Sequence, residues 1–382
     1  MSAPHIGRVI KLDFKTYRDE YTDVEVTRLS DGIGHTVHIY FTRNSMDRKG
    51  EKLLCVSNRT GWWQLYIINL KEMTMMQLTN DANVGACCLS YDGRKAYYWD
   101  GRFLKSVDTE TLERDIFFAV PENFHPVDMS ISLDGRFLAF GYSEIVNLST
   151  ASGIIYSGML ETLYRRPRSL VLRLDVSKRE VLPLWGECEW ISHININPVN
   201  PDEVLFCHEG PWHLVQRMWI VKASTHEVYP LLQQKRYLER AGHEFFTNKG
   251  RVVVQFARRS TPSSTDWTSY DVFLNTDGSN IKMFKYRYLA PAHIKSRDDE
   301  KVSVGDRAFP DPSFKDGAAF LGLIIYEDEE AIVKPLCRHG TSWLTQNSHP
   351  HPIFTPDYKG VIFTSDREGE CNIYLAHIEG IV

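Results

Sequence analysis

The segment QNSHPHP, residues 346–352, places two imidazoles two residues apart and follows each with a proline. Residues i and i+2 of an extended backbone project to the same side, and a proline restricts the residue before it toward extended conformations. We therefore expect His349 and His351 to be presented together on an extended backbone, with Gln346 one turn away. Imidazole binds several transition metals and an amide oxygen suits harder ions, so this donor set favours an intermediate divalent ion such as Mn²⁺.

A metal at this segment would need a third ligand from another part of the chain. The best placed of the fourteen histidines is His293 in APAHIKS, directly before the turn of another repeat. The same two-histidine pattern is also compatible with a polar loop in which the rings bond backbone carbonyls. The spacing alone leaves both interpretations open.

Two further residues have side chains suited to proton transfer and anion recognition. His243 lies just before the strand FFTNKGRVVVQF, and a neutral imidazole there would serve as a general base near neutral pH. A capped surface histidine is the alternative for that residue. Arg217 interrupts the apolar strand LVQRMWIVKA, and its planar fork suits a carboxylate in a partly dry cleft. The runs RRPR (165–168) and ARR (257–259) are typical of solvated surface.

Several other chemistries lack their sequence signatures. The chain has no G-x-S-x-G elbow, no Walker loop and no dinucleotide-binding glycine fingerprint. The formal net charge of −5 argues against a general nucleic-acid binder, because such proteins carry a pronounced basic field. A glycosidase pair of carboxylates stays open, since its separation is set by the fold.

The sequence also bears on compartment. The seven cysteines are odd in number and lack C-x-x-C spacing, so neither a disulfide framework nor a zinc cluster is indicated. The N-terminal region lacks the apolar run of a signal peptide, and no segment approaches the roughly 18–20 apolar residues of a membrane span. We expect a cytoplasmic protein without membrane contact.

The strands that must position these residues come from one recurring sequence pattern. In this pattern a short polar turn is followed by a strand in which apolar residues alternate with polar ones. Copies include KGEKLLCVSNRTGWWQLYIINL, YDGRKAYYWDGRFLKSVDTET and YKGVIFTSDREGECNIYLAHI. The seven turns lie near Gly50, Gly93, Gly135, Asp202, Gly250, Asp299 and Lys359. Most intervals are close to the roughly 40–50 residues of one propeller blade, and the period of two fits half-buried strands. The chain is therefore predicted to be all-β, a seven-bladed β-propeller.

We expect residues 1–382 to form one domain, with an N-terminal strand region at about 20–42 closing the last blade. Two longer intervals predict insertions around residues 143–168 and 304–317. The alternative is a β-sandwich or a pair of barrels, because Asp-Gly is a generic hairpin signal.

The C-terminal run TSWLTQNSHPHPIFTPDYKGVIFTSDREGECNIY closely resembles the signature of the oligogalacturonate lyases, seven-bladed propellers that split short pectin fragments by β-elimination. FCHEGPWHLVQRMW, AGHEFF, AHIKSRDDEKVSVGD and KLLCVSNRTGWWQLYIINL match as well, in order along most of the chain. The propeller repeats also resemble TolB-type propellers. The resemblance implies a metal-dependent lyase for oligogalacturonate, with Mn²⁺ the usual ion.

Roles are implied position by position. His293, Gln346, His349 and His351 match the family's metal ligands, His243 matches its catalytic base, and Arg217 matches the arginine that engages the substrate carboxylate. His208 and Trp212 lie in a matching segment and are expected to contact substrate. The reaction removes the C5 proton beside a carboxylate and expels the C4 oxygen, which gives a 4,5-unsaturated uronate. A cation and an arginine at the carboxylate suit that chemistry, because they stabilise negative charge that develops there.

Three alternatives stay open. The turn after His293 departs from the family pattern, and Arg307 follows it, so another uronate oligosaccharide is a possible substrate. A non-catalytic TolB-like propeller that binds a sugar or a protein is the second. A hydrolase on the same fold, which would release reducing ends without unsaturation, is the third.

Overall fold

The computed structural model describes residues 5–82, 84–149, 158–307 and 320–381. Strands dominate these ranges, which hold one α-helix, α1 (Met159–Arg165), and one 3-10 helix, Gln346–Ser348. The predicted all-β class is confirmed. Residues 150–157 and 308–319, which contain parts of the two predicted insertions, lie outside the described ranges. Neither helix has the length and hydrophobicity that crossing a membrane requires.

The chain divides into two compact units, which are described separately. The first contains Met1–Ile116, Arg287–Glu327 and Ile332–Val382, and the second contains Phe117–Tyr286 and Asp328–Ala331.

The N-terminal strands of the first unit form antiparallel sheets. They are β1 (Val9–Lys11), β2 (Lys15–Arg18), β3 (Glu25–Arg28), β4 (Thr36–His38), β5 (Lys52–Ser57), β6 (Gln64–Asn69), β7 (Thr74–Gln77), β8 (Val84–Leu89), β9 (Lys95–Asp100), β10 (Phe103–Asp108) and β11 (Arg114–Ala119), whose end lies in the second unit. One sheet has the order β1-β7-β6-β5-β4, and the next has the order β11-β10-β9-β8.

The second unit contains two sheets of four strands and a run of four strands that is part of an eight-stranded sheet, and the strands of each run are neighbours in sequential order. Its strands are β12 (Phe124–Ile131), β13 (Phe137–Glu144), β14 (Arg168–Asp175), β15 (Glu180–Cys188), β16 (Ile191–Ile196), β17 (Glu203–His208), β18 (Met218–Lys222), β19 (Val228–Pro230), β20 (Glu239–Phe246), β21 (Val252–Arg258), β22 (Thr268–Leu274) and β23 (Lys282–Tyr286). Consecutive antiparallel strands are what short turns can join, so the meander follows directly from the turn-and-strand repeat.

The C-terminal strands return to the first unit, except that β27 begins in the second. They are β24 (Ile294–Ser296), β25 (Val302–Gly305), β26 (Phe320–Glu327), β27 (Glu330–Arg338), β28 (Ile353–Phe354), β29 (Gly360–Glu368) and β30 (Glu370–His377). The first four are neighbours in sequential order, and the last three complete a sheet ordered β2-β3-β30-β29-β28. Val26 of β3 pairs with Ala376 of β30, so an N-terminal strand and the C-terminal strand share a sheet.

The repeated turn has a recurring hydrogen-bond pattern. The Ser90 hydroxyl donates to Asp92 Oδ1 at 2.6 Å, and the N–H of Lys95 donates back to Ser90 Oγ at 2.9 Å. Gly93 closes the turn with a φ of 71°, in the left-handed region where a Cβ is unfavourable. Ser132, Asp134 and Gly135 repeat the arrangement.

Alternate residues of the strands pack into different core clusters, since Val204 and Phe206 of β17 lie in one cluster and Leu205 lies in another. Leu205 and Ile220 of β17 and β18 are fully buried in one cluster with Val252 and Val254 of β21. These apolar side chains recur at every second position, which explains the period of two in the sequence.

Candidate metal centre and catalytic residues

Three histidines of the first unit converge. His293, His349 and His351 each place a ring nitrogen so that all three lie within 4.8 Å of one another. His293 and His351 are 5% and 6% exposed, and His349 is half-buried. The centroid distance between the His293 and His351 rings is 4.4 Å. The structure therefore brings together the three imidazoles that the sequence singled out.

The backbone of the QNSHPHP segment differs from the expectation. Gln346–Ser348 form a 3-10 turn that begins after Thr345. His349 is extended, with φ −72° and ψ 137°, whereas His351 has a φ of 45°. The expectation of an extended backbone at both histidines is wrong for His351, which is held in the left-handed region that non-glycine residues rarely occupy. The turn leaves Gln346 Nε2 3.4 Å from His351 Nε2.

Asp306 orients His293. The His293 backbone N–H donates to Asp306 Oδ1, and Nδ1 lies 2.8 Å from Oδ2. The carboxylate is fully buried, so it favours the tautomer with a proton on Nδ1 and the lone pair on Nε2. Sequence reasoning missed Asp306 as a functional residue, although it lies in the matching segment VGD.

His349 has the properties of a metal ligand. Its Nδ1 is buried and has no hydrogen-bond partner among the described residues. Burial, reinforced by the electrostatic influence of His293 and Arg307, lowers the pKa of His349 to about 4 and keeps the ring neutral. A neutral imidazole with an unsatisfied buried nitrogen fits a divalent transition ion, because coordination would satisfy that nitrogen.

Aromatic rings surround the three histidines. The Tyr40 ring lies 4.9 Å from His351 in an edge contact, and Trp343 lies 4.6 Å from His349. The Arg307 guanidinium lies over the Trp343 ring at 5.1 Å. Such an apolar shell fixes the ring positions and limits the approach of water. The unexpected Arg307 is therefore a neighbour of the three-histidine cluster.

In the second unit, His243 lies at a β-bulge of β20. The register between β20 and β21 shifts between Gly242 and Phe245, and His243 has a φ of 57°. Its Nδ1 lies 2.9 Å from Gln255 Oε1. Because an amide oxygen only accepts, Nδ1 carries the proton and Nε2 the lone pair, as a general base requires.

Trp212 covers this histidine. The two ring centroids are 5.0 Å apart and nearly perpendicular. Gly242 permits the contact, because a Cβ there would meet the Trp212 ring at 3.0 Å. The predicted substrate residue Trp212 and the predicted base His243 are thus direct neighbours.

Arg217 is 1% exposed and is paired with two protein carboxylates. Its Nε donates to Glu244 Oε2 at 2.8 Å, and its Nη1 donates to Glu209 Oε1 at 2.9 Å. Burial opposes both carboxylate charges, but the Arg217 cation outweighs it and lowers the pKa of Glu209 to about 2 and that of Glu244 below its usual range. Sequence reasoning missed both glutamates, although CHEGPW and AGHEFF contain them.

Two other histidines lie in this part of the second unit. His208 Nε2 is 2.7 Å from Glu187 Oε1, and its ring packs 5.0 Å from Trp219, so its nearest partners differ from those of His243. His193 was not anticipated. Its ring lies 6.5 Å from His243, and its Nδ1 lies 3.5 Å from Glu244 Oε1. Nothing in its sequence context marks His193.

Comparisons with known proteins agree along the whole chain. The profile of the family described as oligogalacturonate lyase matches residues 5–382. The chain is 28% identical to the oligogalacturonide lyase of Pectobacterium atrosepticum and 27% identical to the oligogalacturonate lyase of Dickeya dadantii, in each case over 97% of this chain and 98% of the relative. A solved structure described as oligogalacturonate lyase in complex with manganese superposes with a TM-score of 0.85 at 27% identity, covering 98% of both chains. The resemblance seen in the sequence is confirmed, and the chain belongs to the oligogalacturonate lyase family.

Proposed function

We propose that this family member cleaves short oligogalacturonates by β-elimination and releases a 4,5-unsaturated uronate. The observation that carries the proposal is the convergence of His293, His349 and His351, with an unsatisfied buried nitrogen on His349. Two relatives named as lyases of this substrate match the chain from end to end.

The three histidines and Gln346 would hold a divalent cation, which we propose to be Mn²⁺. Imidazoles with an amide oxygen suit an ion of intermediate hardness, and a related structure is described with manganese. Such a cation would supply Lewis-acid stabilisation of negative charge on a uronate carboxylate. Asp306 holds the His293 ring for this task, and the low pKa of His349 keeps one of its ring nitrogens unprotonated near neutral pH.

His243 takes the role of general base. Its Nε2 lone pair accepts the C5 proton, the C5–H electrons form the C4–C5 double bond, and the C4–O bond breaks with its electron pair leaving on oxygen. Gln255 supports this role because it keeps the proton of the neutral ring on Nδ1. Trp212 limits the orientations of the ring by packing against its edge.

Arg217 is proposed to engage the substrate carboxylate with the edge of the guanidinium that Glu209 and Glu244 do not use. These two carboxylates fix its plane through Nε and Nη1. Trp212 and His208 are proposed to contact the sugar. Glu187 holds the His208 ring through Nε2.

The same proposal extends to the architecture and the compartment. Five sheets of four or five strands, and one eight-stranded sheet that would divide into two blades of four, support seven blades in a single domain, with β3 beside β30 closing the last blade. All seven cysteines are unbridged, which supports the reducing cytoplasm.

The test is the ultraviolet absorbance of the conjugated product. Digalacturonate or trigalacturonate added with Mn²⁺ should produce a rising absorbance, which a chelator should abolish. His243→Ala should stop turnover but retain sugar binding, while the exposed His226→Ala should leave turnover unchanged. A protein that raises no absorbance with any uronate oligomer contradicts the proposal, and new reducing ends without absorbance indicate a hydrolase.

A further inference from the structure

Two arginines of the second unit converge on one tryptophan. The guanidinium carbons of Arg240 and Arg259 lie 4.5 Å and 4.6 Å from the Trp267 ring centroid. The His213 ring lies 6.5 Å from the same ring. We call Arg240, Arg259, Trp267 and His213 the basic cluster. All four side chains are half-buried and therefore within reach of a ligand.

The positive charge of the basic cluster is uncompensated by acidic partners. In the described part of the chain, no carboxylate pairs with either arginine. Arg259 donates to two backbone carbonyls, those of Tyr237 and Ser264. Burial and the neighbouring Arg259 lower the pKa of Arg240, as expected for like charges held close together. Cations are normally gathered in this way where an anion is to be bound.

The basic cluster adjoins His243. Trp212 packs against His243, and the next residue, His213, packs near Trp267. Arg240 and Gly242 are two positions apart on β20 and so face the same side, where the Trp212 ring covers Gly242. Arg240 precedes His243 by three residues, which is about 10 Å along a strand. A ligand in contact with His243 can therefore extend toward the arginines.

We propose that the basic cluster is a distal subsite that binds the carboxylate of a uronate residue beyond the two that flank the broken glycosidic bond, a role that rests on the proposed function. Planar guanidiniums suit a carboxylate because they can donate two parallel hydrogen bonds. The subsite makes the enzyme selective for longer acidic oligosaccharides, because each additional uronate brings one more carboxylate.

The test measures binding by titration calorimetry in the His243→Ala protein, where turnover is blocked. Trigalacturonate should bind at least about tenfold more tightly than digalacturonate, as a charge-assisted hydrogen bond predicts. Adding Arg240→Gln should remove that difference. Arg258→Gln is the matched control, since Arg258 is paired with Glu239 in the ladder, faces the opposite side of the sheet and contacts Tyr270.

Two results would overturn the inference: equal affinity for the two ligands before Arg240 is changed, or a difference that persists in Arg240→Gln. A ligand-side test needs no further variant. Two isomers of trigalacturonate carry one methyl ester each, at opposite ends of the chain. One of the two should bind without the extra affinity of trigalacturonate. If both isomers retain the extra affinity, the subsite is contradicted. Length-dependent binding without any turnover by the unmodified protein would refute the lyase reaction and leave the subsite standing.

Discussion

At the scale of single residues, two histidines have their tautomers set by different partners. The negatively charged carboxylate of Asp306 accepts a hydrogen bond from His293 Nδ1, whereas the neutral amide oxygen of Gln255 accepts one from His243 Nδ1. A carboxylate partner increases the electron donation of the opposite nitrogen, which suits a metal ligand. An amide orients the ring and stabilises its protonated form less than a carboxylate would, so the base can release the proton it has taken.

Asp306→Asn should weaken Mn²⁺ binding about 10–100-fold, because the His293 tautomer is then no longer fixed. Titration calorimetry with the metal alone measures this effect without any activity assay. The exposed Asp13→Asn should leave the affinity unchanged. Equal affinity in Asp306→Asn and the unmodified protein would remove Asp306 from the site.

Arg217→Met should lower the free energy of unfolding by about 3–5 kcal/mol, because two buried carboxylates would lose their shared cation. Denaturant unfolding provides the measurement. Arg18→Met is the control, since Arg18 and its partner Asp23 are 61% and 82% exposed and their ion pair contributes about 1 kcal/mol or less. A change below about 1 kcal/mol in Arg217→Met would show that the glutamates do not depend on the arginine.

At the scale of elements, β-bulges in β16 and β20, each the first of its run of four strands, turn side chains away from the regular alternation between the two faces of the sheet. β16 shifts register between Ser192 and Asn195, and β20 between Gly242 and Phe245. His193 and His243 occupy these bulges, with φ values of 49° and 57°. A bulge adds one residue and redirects its side chain, so a strand built for the core can also present an imidazole.

Gly242→Ala tests the support of the β20 bulge. The new Cβ would meet the Trp212 ring at 3.0 Å, so the ring must shift from its position against His243. We expect a loss of turnover of about tenfold or more with an intact fold, because small displacements of catalytic groups are costly. Steady-state kinetics and thermal unfolding separate the two effects.

Gly186→Ala is the control for this change, since its nearest neighbour, Leu170, lies at an ordinary contact distance of 3.4 Å. Similar kinetics in the two variants would show that the Trp212 contact does not matter for turnover.

At the scale of the whole molecule, the pairing of β3 with β30 connects the two ends of the chain. Val26 is fully buried in a cluster with Phe363 and Tyr374 of the same sheet. Val26→Ala should therefore cost about 2 kcal/mol of unfolding free energy. If the chain is one cooperative domain, near- and far-ultraviolet circular dichroism should report the same single transition.

The exposed Val9→Ala should cost little, since Val9 is 59% exposed. Two separate transitions in Val26→Ala would contradict the proposed single domain.

The sequence predicted the features of the fold and the site that depend on a local pattern, such as the apolar period of two and the polar turns. Alternating apolar residues predicted the strands, and the polar turns predicted where the repeats begin, because both are local properties. The motif around His349 and His351 predicted their convergence with His293. The left-handed backbone of His351 and the bulge at His243 were not predictable, since tertiary packing imposes them. Asp306, Glu209 and Glu244 were missed because a carboxylate in sequence gives no sign of the partner it finds in space.

The Trp343 ring, which contacts His349 and His293, gives the protein an internal optical reporter. A paramagnetic ion placed among those histidines would quench indole emission at short range. Subtracting the signal of Trp343→Phe would separate this ring from the other eight tryptophans. Occupancy of the cluster could then be followed in real time, in unlabelled protein and without substrate.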